Sequence, residues 1–259
     1  MNLAGSLFGS SLGRKILMAV TGIMLIGFVV VHLVGNLQVF GSPDLINGYA
    51  HFLRQLGPTL WLGRIVLLVC VAIHVWAATV LTLENRRARG EAVRYDARYT
   101  IRATLASRTM RWTGYIVLAF VFYHLAHFTW GKVQVDTYKE ALPRYTMQND
   151  YRVLGFVAVR AGIPEVLDVH TMMILGFRHA LVSAFYILAV GLLSYHLLHG
   201  FDSMFQTLGL RSGKWGAALR KISIVFCTAY FLGNLAIPGA VLLGKLQPRA
   251  EVKTAAVTR

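Results

Sequence analysis

The chain contains little cysteine and little negative charge. Its 259 residues include 2 cysteines and 11 acidic residues, against 26 lysines and arginines. Cys70 and Cys227 both fall in apolar segments, and neither has the Cys-x-x-Cys or Cys/His spacing of a metal site. The pair therefore predicts neither iron–sulfur ligation nor a disulfide, and we interpret both residues as small buried apolar side chains.

Charged side chains are missing altogether from five long stretches. Residues 16–40, 65–83, 112–131, 179–201 and 222–244 contain no Lys, Arg, Asp or Glu. Each stretch is about the 20 residues needed to cross a hydrocarbon core about 30 Å thick. The sequence therefore predicts an all-α integral membrane protein, a bundle of five transmembrane helices. It forms one domain over residues 1–247, and we expect the tail, 248–259, to be disordered.

The basic excess lies beside these spans. A net charge of +15 would suggest nucleic acid in a soluble protein, but here most basic residues occupy connections and tails, where they set orientation and contact anionic lipid. We therefore expect no nucleic-acid binding. The connection 84–111 carries eight arginines, whereas the connection 41–63 carries only Arg54. This difference predicts a cytoplasmic N-terminus and an outside C-terminus.

Apart from His179, the first residue of the fourth predicted span, six histidines lie inside the predicted spans: His32, His74, His124, His127, His196 and His199. A single such histidine is explained by a hydrogen bond to a neighbouring helix. Histidines on four of the five spans favour a shared ligand, because ionisable residues inside membranes are costly and often mark function. Haem iron is the candidate that this pattern favours.

Depth in the membrane divides these histidines into two pairs. At a rise of 1.5 Å per residue, His32 and His124 lie roughly 25 and 20 Å from the cytoplasmic edge. By the same count, His74 and His196 lie roughly 15 and 9 Å from it. Each pair could hold one haem through both axial positions. The other two histidines follow His124 and His196 by three residues on nearly the same face, so spacing leaves open which member binds.

The outer connections hold further polar residues. We expect His51, His170 and His179 to be solvated, with a haem propionate or quinone contact as the alternative, for which Arg178 would be the better cation. The connection 132–178 is balanced in sign. Its Pro164-Glu165 predicts the start of a helix that could continue into the fourth span.

Several segments resemble one family of membrane cytochromes. Residues 10–15 (SSLGRK), running into 17–22 (LMAVTG) and then 32–37 (HLVGNL), resemble the first span of the single-chain, five-span cytochrome b subunit of succinate:quinone oxidoreductases and fumarate reductases. Residues 195–200 (YHLLHG) and 203–209 (SMFQTLG) resemble the end of its fourth span, and 47–52 (NGYAHF) a connection. The likeness extends from about residue 10 to residue 244.

The resemblance implies two haem b groups stacked across the membrane. His32 and His124 would hold the iron of the outer haem, and His74 and His196 that of the inner haem. His124 is preferred because Tyr123-His-Leu resembles the family's aromatic-His-aliphatic ligand context. His196 is preferred because the His-Leu-x-His-Gly pattern puts its ligand first.

The resemblance also implies an activity and partners. It predicts the membrane subunit of succinate dehydrogenase in the bacterial cytoplasmic (inner) membrane, unable to oxidise succinate on its own. The partners would be a flavoprotein subunit, an iron–sulfur subunit docked on the basic cytoplasmic connections, and a quinone, which we expect to be menaquinone. The resemblance allows a higher oligomer of the complex.

Two alternatives stay open at this point. The first is a di-haem cytochrome b anchor of another respiratory complex, of the nitrate reductase or hydrogenase type. The second is a non-haem transport or assembly protein, in which the histidines would form a proton relay or only interhelical hydrogen bonds. One position also departs from the family: after His51 the chain carries Arg54 and no nearby Glu, where relatives that use low-potential quinone often have an acidic residue.

Overall fold

The computed structural model describes residues 3–88, 105–211, 213 and 215–249. Within these ranges the helices are α1 Leu3–Gly9, α2 Ser11–Leu37, α3 Pro43–Gln55, α4 Pro58–Ala88, α5 Leu105–His124, α6 Val169–Phe177, α7 Ala180–Thr207 and α8 Trp215–Leu242. Short 3-10 helices cover Gln38–Phe40 and Val135–Thr137, and a π-helix covers Leu125–Thr129. Strands β1 Tyr151–Val153 and β2 Phe156–Val159 pair antiparallel.

Four helical segments are long and apolar enough to cross a membrane. They are Ser11–Phe40, Pro58–Ala88, Ala180–Thr207 and Trp215–Leu242. Only 11–33% of their most apolar stretches is buried within the protein, so most of the apolar side chains face outward. Lipid accommodates such a surface, whereas water does not. The multi-pass, helical membrane character predicted from the sequence is thereby confirmed.

The third predicted span is not among these four. Residues 112–131 coincide with α5 and with the π-helix that continues it to Thr129. The segment carries no charge, but its histidines, Tyr123 and Thr113 lower its hydropathy compared with the other four. The described residues therefore give four spans by length and composition, where the sequence predicts five.

The chain divides into two compact units. The first comprises the described parts of Met1–Val30, Leu62–Tyr115 and Leu193–Thr228. Within it, α2 and α4 run antiparallel, because Arg14 pairs with Glu84 while Thr21, further along α2, contacts His74, further back on α4.

The second unit comprises the described parts of Val31–Trp61, Ile116–Leu192 and Ala229–Arg259. Its apolar core joins α3, α5, α6, α7 and α8 through buried side chains such as Ile46, Phe120, Ile174, Tyr186 and Ile237. Because α6 is buried along most of its length, it forms part of this core rather than a surface connection.

A polar interface joins α3 to the connection 132–178 within this second unit. Buried Asp44 accepts hydrogen bonds from the Tyr145 hydroxyl, the Gln148 backbone N–H and Asn149 Nδ2, each at 2.8 Å. Burial alone would raise the pKa of Asp44, but these bonds together hold its pKa below the usual value. Asn47, on the same helix, donates to Asp168 at 3.3 Å.

The predicted helix start at Pro164-Glu165 is wrong by about one turn. It begins at Val169 because the Asp168 carboxylate caps it, accepting the Thr171 backbone N–H at 3.0 Å. Glu165 has a φ of 64°, which no helix allows. The helix also ends at Phe177 instead of continuing into α7, and the β1–β2 hairpin is an addition to the predicted all-α fold.

The start of the predicted tail is held in place. Arg249 Nε donates to the buried Asp168 carboxylate at 2.6 Å, and Arg249 Nη2 donates to the Pro143 carbonyl at 3.2 Å. Residues 250–259 of the predicted disordered tail lie outside the described residues, as do residues 89–104 of the arginine-rich connection. Cys70 and Cys227 are buried and free, as the sequence predicts.

Candidate functional site

Two of the span histidines face each other in the second unit. His32 lies on α2 and His124 is the last residue of α5. Their ring centres are 5.6 Å apart and their planes are nearly perpendicular, at 89°. His124 Nδ1 is buried and has no hydrogen-bond partner within the described ranges. Burying a polar atom without a hydrogen-bond partner is costly.

The spacing of this pair suits two axial ligands of one metal. Metal–nitrogen bonds of about 2 Å on each side would place the ring centres roughly 6 Å apart. The observed 5.6 Å is close to that value. Aromatic rings surround His124, with the centres of Phe120, Phe128 and Tyr186 between 5.8 and 6.0 Å away. Two neutral imidazoles in an apolar setting are a donor set suited to a haem iron.

His127, the alternative to His124, uses both of its ring nitrogens. Nδ1 lies 3.0 Å from the Tyr186 hydroxyl, and Nε2 lies 3.4 Å from Gln134 Oε1. The π-helix begins directly after His124, and its wider turn changes the direction of His127 relative to His124. His127 also stacks on Phe128 with ring centres 4.0 Å apart. The geometry thus gives His127 a packing role and leaves His124 opposite His32.

In the first unit, His74 and His196 have matching surroundings. His74 Nδ1 lies 3.2 Å from Thr21 Oγ1, and His196 Nδ1 lies 3.2 Å from Thr113 Oγ1. Each ring also hydrogen-bonds to backbone three residues before that threonine, at Met18 and Met110. The two imidazoles are close enough to interact electrostatically. The first unit therefore contains a second histidine pair, drawn from α4 and α7.

A glycine follows each of these threonines. A Cβ on Gly22 would lie 3.5 Å from His74 Cε1, and a Cβ on Gly114 would lie 3.3 Å from His196 Cε1. The first distance is an ordinary van der Waals contact, and the second is only slightly tighter. The pattern Met-x-x-Thr-Gly occurs at 18–22 and again at 110–114. This repeat is visible in the sequence and is not needed to predict the spans.

His199, the alternative to His196, is bonded within its own helix. Its Nε2 lies 3.0 Å from Ser203 Oγ, one turn further along α7. His196 instead reaches Thr113 and Gly114 on α5. Among the described residues, His196 hydrogen-bonds through Nδ1 to a side chain of another helix, whereas His199 uses Nε2 for a bond within α7.

The other candidate site residues, His51, Arg178 and His179, belong to the second unit. His51 is half-buried on α3, and Arg178 and His179 are exposed between α6 and α7. Among the described residues, none of these three forms a hydrogen bond or ion pair with His124. The expectation of a solvated His170 is wrong: it is 6% exposed, and burial holds its pKa below the usual value.

Each candidate site offers two imidazoles, and no group of three or more His, Cys, Asp or Glu side chains suited to a metal ion occurs among the residues that the structure describes.

No protein-family model, no curated protein and no solved structure matches the chain.

Proposed function

We propose that the chain is the membrane-anchor cytochrome b subunit of a succinate:quinone oxidoreductase. The observation that carries the proposal is the pairing of His32 with His124 and of His74 with His196, each pair taken from two long helices and lying within one unit. These are the pairs that the resemblance in sequence implies as axial ligands. Helical bundles commonly hold cofactors between side chains of facing helices.

The residues present fit two haem b groups. Each pair supplies two imidazoles, and the ring centres of His32 and His124, 5.6 Å apart, have about the separation that two ligands of one metal ion would have. Bound haems would supply reversible one-electron transfer. The part of the protein is to orient the imidazoles and to keep water away from them.

We infer that α5 and its π-helical extension form a fifth span. Asp44 and Asn47 on α3 bind Tyr145 and Asp168 directly, so α3 and the connection 132–178 lie on the same face of the membrane. The chain leaves that face through α4, which is long and apolar enough to cross. It must cross again before it reaches Tyr145. Among the described helices, α5 is the one between α4 and Tyr145 in sequence.

Five spans place the chain termini on opposite faces, and the arginine-rich connection after α4 favours a cytoplasmic N-terminus. The cytoplasmic face would then receive electrons from an iron–sulfur subunit, which a succinate-oxidising flavoprotein reduces. Exposed basic residues that could dock this subunit are Arg86, Arg87, Arg211 and Lys221. Arg220 is less available, because it pairs with Asp202. The electrons would leave to a quinone, expected to be menaquinone, in the bacterial cytoplasmic membrane.

The test is to purify the protein from haem-replete bacterial cells and to reduce it with dithionite. We expect a b-type spectrum with about two haems per chain, co-purification of a flavoprotein and an iron–sulfur subunit, and reduction of a quinone analogue by succinate. A folded but colourless protein would reject the cytochrome assignment and favour a transport or assembly role. Two haems without succinate-driven reduction would favour the anchor of another respiratory complex.

A further inference from the structure

The hydroxyl protons of Thr21 and Thr113 are both donated to backbone carbonyl groups. Thr21 Oγ1 donates to the Leu17 carbonyl at 2.7 Å, and Thr113 Oγ1 donates to the Met110 carbonyl at 2.9 Å. A hydroxyl group has one proton and two lone pairs. Each hydroxyl therefore presents a lone pair to the histidine Nδ1 that lies 3.2 Å away.

We infer that Thr21 and Thr113 fix His74 and His196 as the tautomer with the proton on Nδ1, so that the lone pair of each ring is on Nε2 and free to bind iron. A neutral imidazole carries one proton, and the partner of one nitrogen sets the state of the other. This inference rests on the proposed function and deepens it, because it names the residues that position and tune the ligands of one haem.

The backbone at Met18 and at Met110 also hydrogen-bonds to these two rings. A carbonyl oxygen can only accept, so the ring nitrogen that meets it must carry hydrogen. The same Met-x-x-Thr-Gly segment therefore performs the same task on α2 and on α5. In each segment the threonine sets the position of the ring proton, and the ring lies beside the following glycine.

Donation from Nδ1–H has a consequence for the potential of the haem. It raises the basicity of the ligand imidazole and thereby stabilises the oxidised iron more than the reduced iron. The haem of His74 and His196 has such a bond on both ligands. The His32–His124 site differs, because His124 Nδ1 has no partner among the described residues. The potential of the haem at the His32–His124 site therefore serves as an internal reference.

The experiment uses the purified complex with its partner subunits and the variants Thr21→Val and Thr113→Val, which keep the shape of the side chain and remove the hydroxyl. Loss of such a supporting bond typically weakens metal affinity by about 10- to 100-fold. A preference for oxidised iron that is tenfold weaker raises the midpoint potential by about 59 mV. Spectroelectrochemical titration should show this rise for one haem, with the other haem unchanged.

Thr79→Val is the matched control. Thr79 lies on the same helix as His74 and its hydroxyl donates to the Val75 carbonyl at 2.8 Å, one turn back, as that of Thr21 does. It has no hydrogen bond to a histidine within the described structure. We expect wild-type potentials in Thr79→Val and also in Thr21→Ser, which keeps the hydroxyl.

The outcomes separate the inference from the function on which it rests. Unchanged potentials and haem content in both valine variants overturn the inference, although two haems in the wild-type protein would still support the proposed function. An equal shift in Thr79→Val, or no rescue by Thr21→Ser, also overturns it. Selective loss of one haem in the valine variants but not in Thr79→Val supports it. A wild-type protein without haem overturns the proposed function itself.

Discussion

Neighbouring histidines on one helix have very different surroundings in this protein. His124 faces another histidine and has an unpaired Nδ1, whereas His127 shares its nitrogens with Tyr186 and Gln134. His196 reaches a neighbouring helix, whereas His199 bonds one turn along its own helix. The partners of each ring, more than its depth in a span, therefore separate candidate ligands from histidines that pack the bundle.

The substitutions His124→Ala and His127→Ala test this distinction. We expect His124→Ala to lose one of the two haems, and His127→Ala to keep both, because His127 has a structural role. The second variant should still lose about 1–3 kcal/mol of stability, since the buried Tyr186 hydroxyl loses its partner. The haem-to-chain ratio and thermal unfolding of the purified protein measure the two effects. If His127→Ala lost a haem and His124→Ala kept both, His127 would be the ligand and His124 would have the structural role.

Helical spacing alone could not have made this distinction. Residues three apart share a face of an α-helix, and what separates His124 from His127 is the π-helix and partners that lie far away in sequence, such as Tyr186. The Met-x-x-Thr-Gly repeat is different, because both copies are visible in the sequence. Its meaning still required the structure, which puts a histidine of another helix beside each copy.

At the scale of elements, α6 and the end of the chain meet at Asp168. This carboxylate is fully buried, caps α6, and accepts from Asn47 on α3 and from Arg249 after α8. Another pair on the same connection, Arg144 with Glu165, is longer at 3.8 Å and largely exposed. The two ion pairs therefore differ in burial while joining the same types of group.

The variants Arg249→Ala and Arg144→Ala compare these ion pairs. Removing Arg249 leaves a buried carboxylate without its counter-charge, which should cost about 3 kcal/mol of stability. Removing Arg144 should cost less than about 1 kcal/mol, because exposed pairs contribute little. Thermal unfolding in detergent provides the measurement. Equal losses of stability in the two variants would show that the buried Arg249–Asp168 pair contributes no more than the exposed Arg144–Glu165 pair.

The predicted elements succeed where one physical rule dominates. Four spans follow from the absence of charge over about 20 residues, which few structures other than a membrane helix explain. The start of α6 depends instead on which nearby side chain accepts a hydrogen bond from a free backbone N–H. Asp168 accepts that bond, so the helix begins after Asp168 and not at Pro164-Glu165. The short β1–β2 hairpin packs on α3, so its formation depends on contacts distant in sequence.

On the scale of the whole molecule, the topology can be read from two exposed side chains on either side of α7. Phe156, on β2, is 79% exposed, and Leu210, after α7, is 54% exposed. One apolar helix separates them in sequence, so they must lie on opposite faces of the membrane if α7 crosses it. Both native cysteines are buried and should stay silent towards polar reagents.

The variants Phe156→Cys and Leu210→Cys turn this into a labelling experiment. We expect a membrane-impermeant maleimide to label Phe156→Cys in cells in which only the outer membrane has been made permeable. The same reagent should label Leu210→Cys only after the inner membrane has also been made permeable. This follows from a cytoplasmic N-terminus and five spans. The reverse pattern would invert the orientation, and labelling of both from one side would remove α7 from the set of spans.

The bond between Asp44 and Tyr145 joins residues that are 101 positions apart. A ribosome adding 5–20 residues per second makes the second partner roughly 5–20 s after the first. During that interval the Asp44 carboxylate of α3 has none of its three donors. The interface between α3 and the connection 132–178 can therefore form only late in biosynthesis, once residues 145–149 have been made.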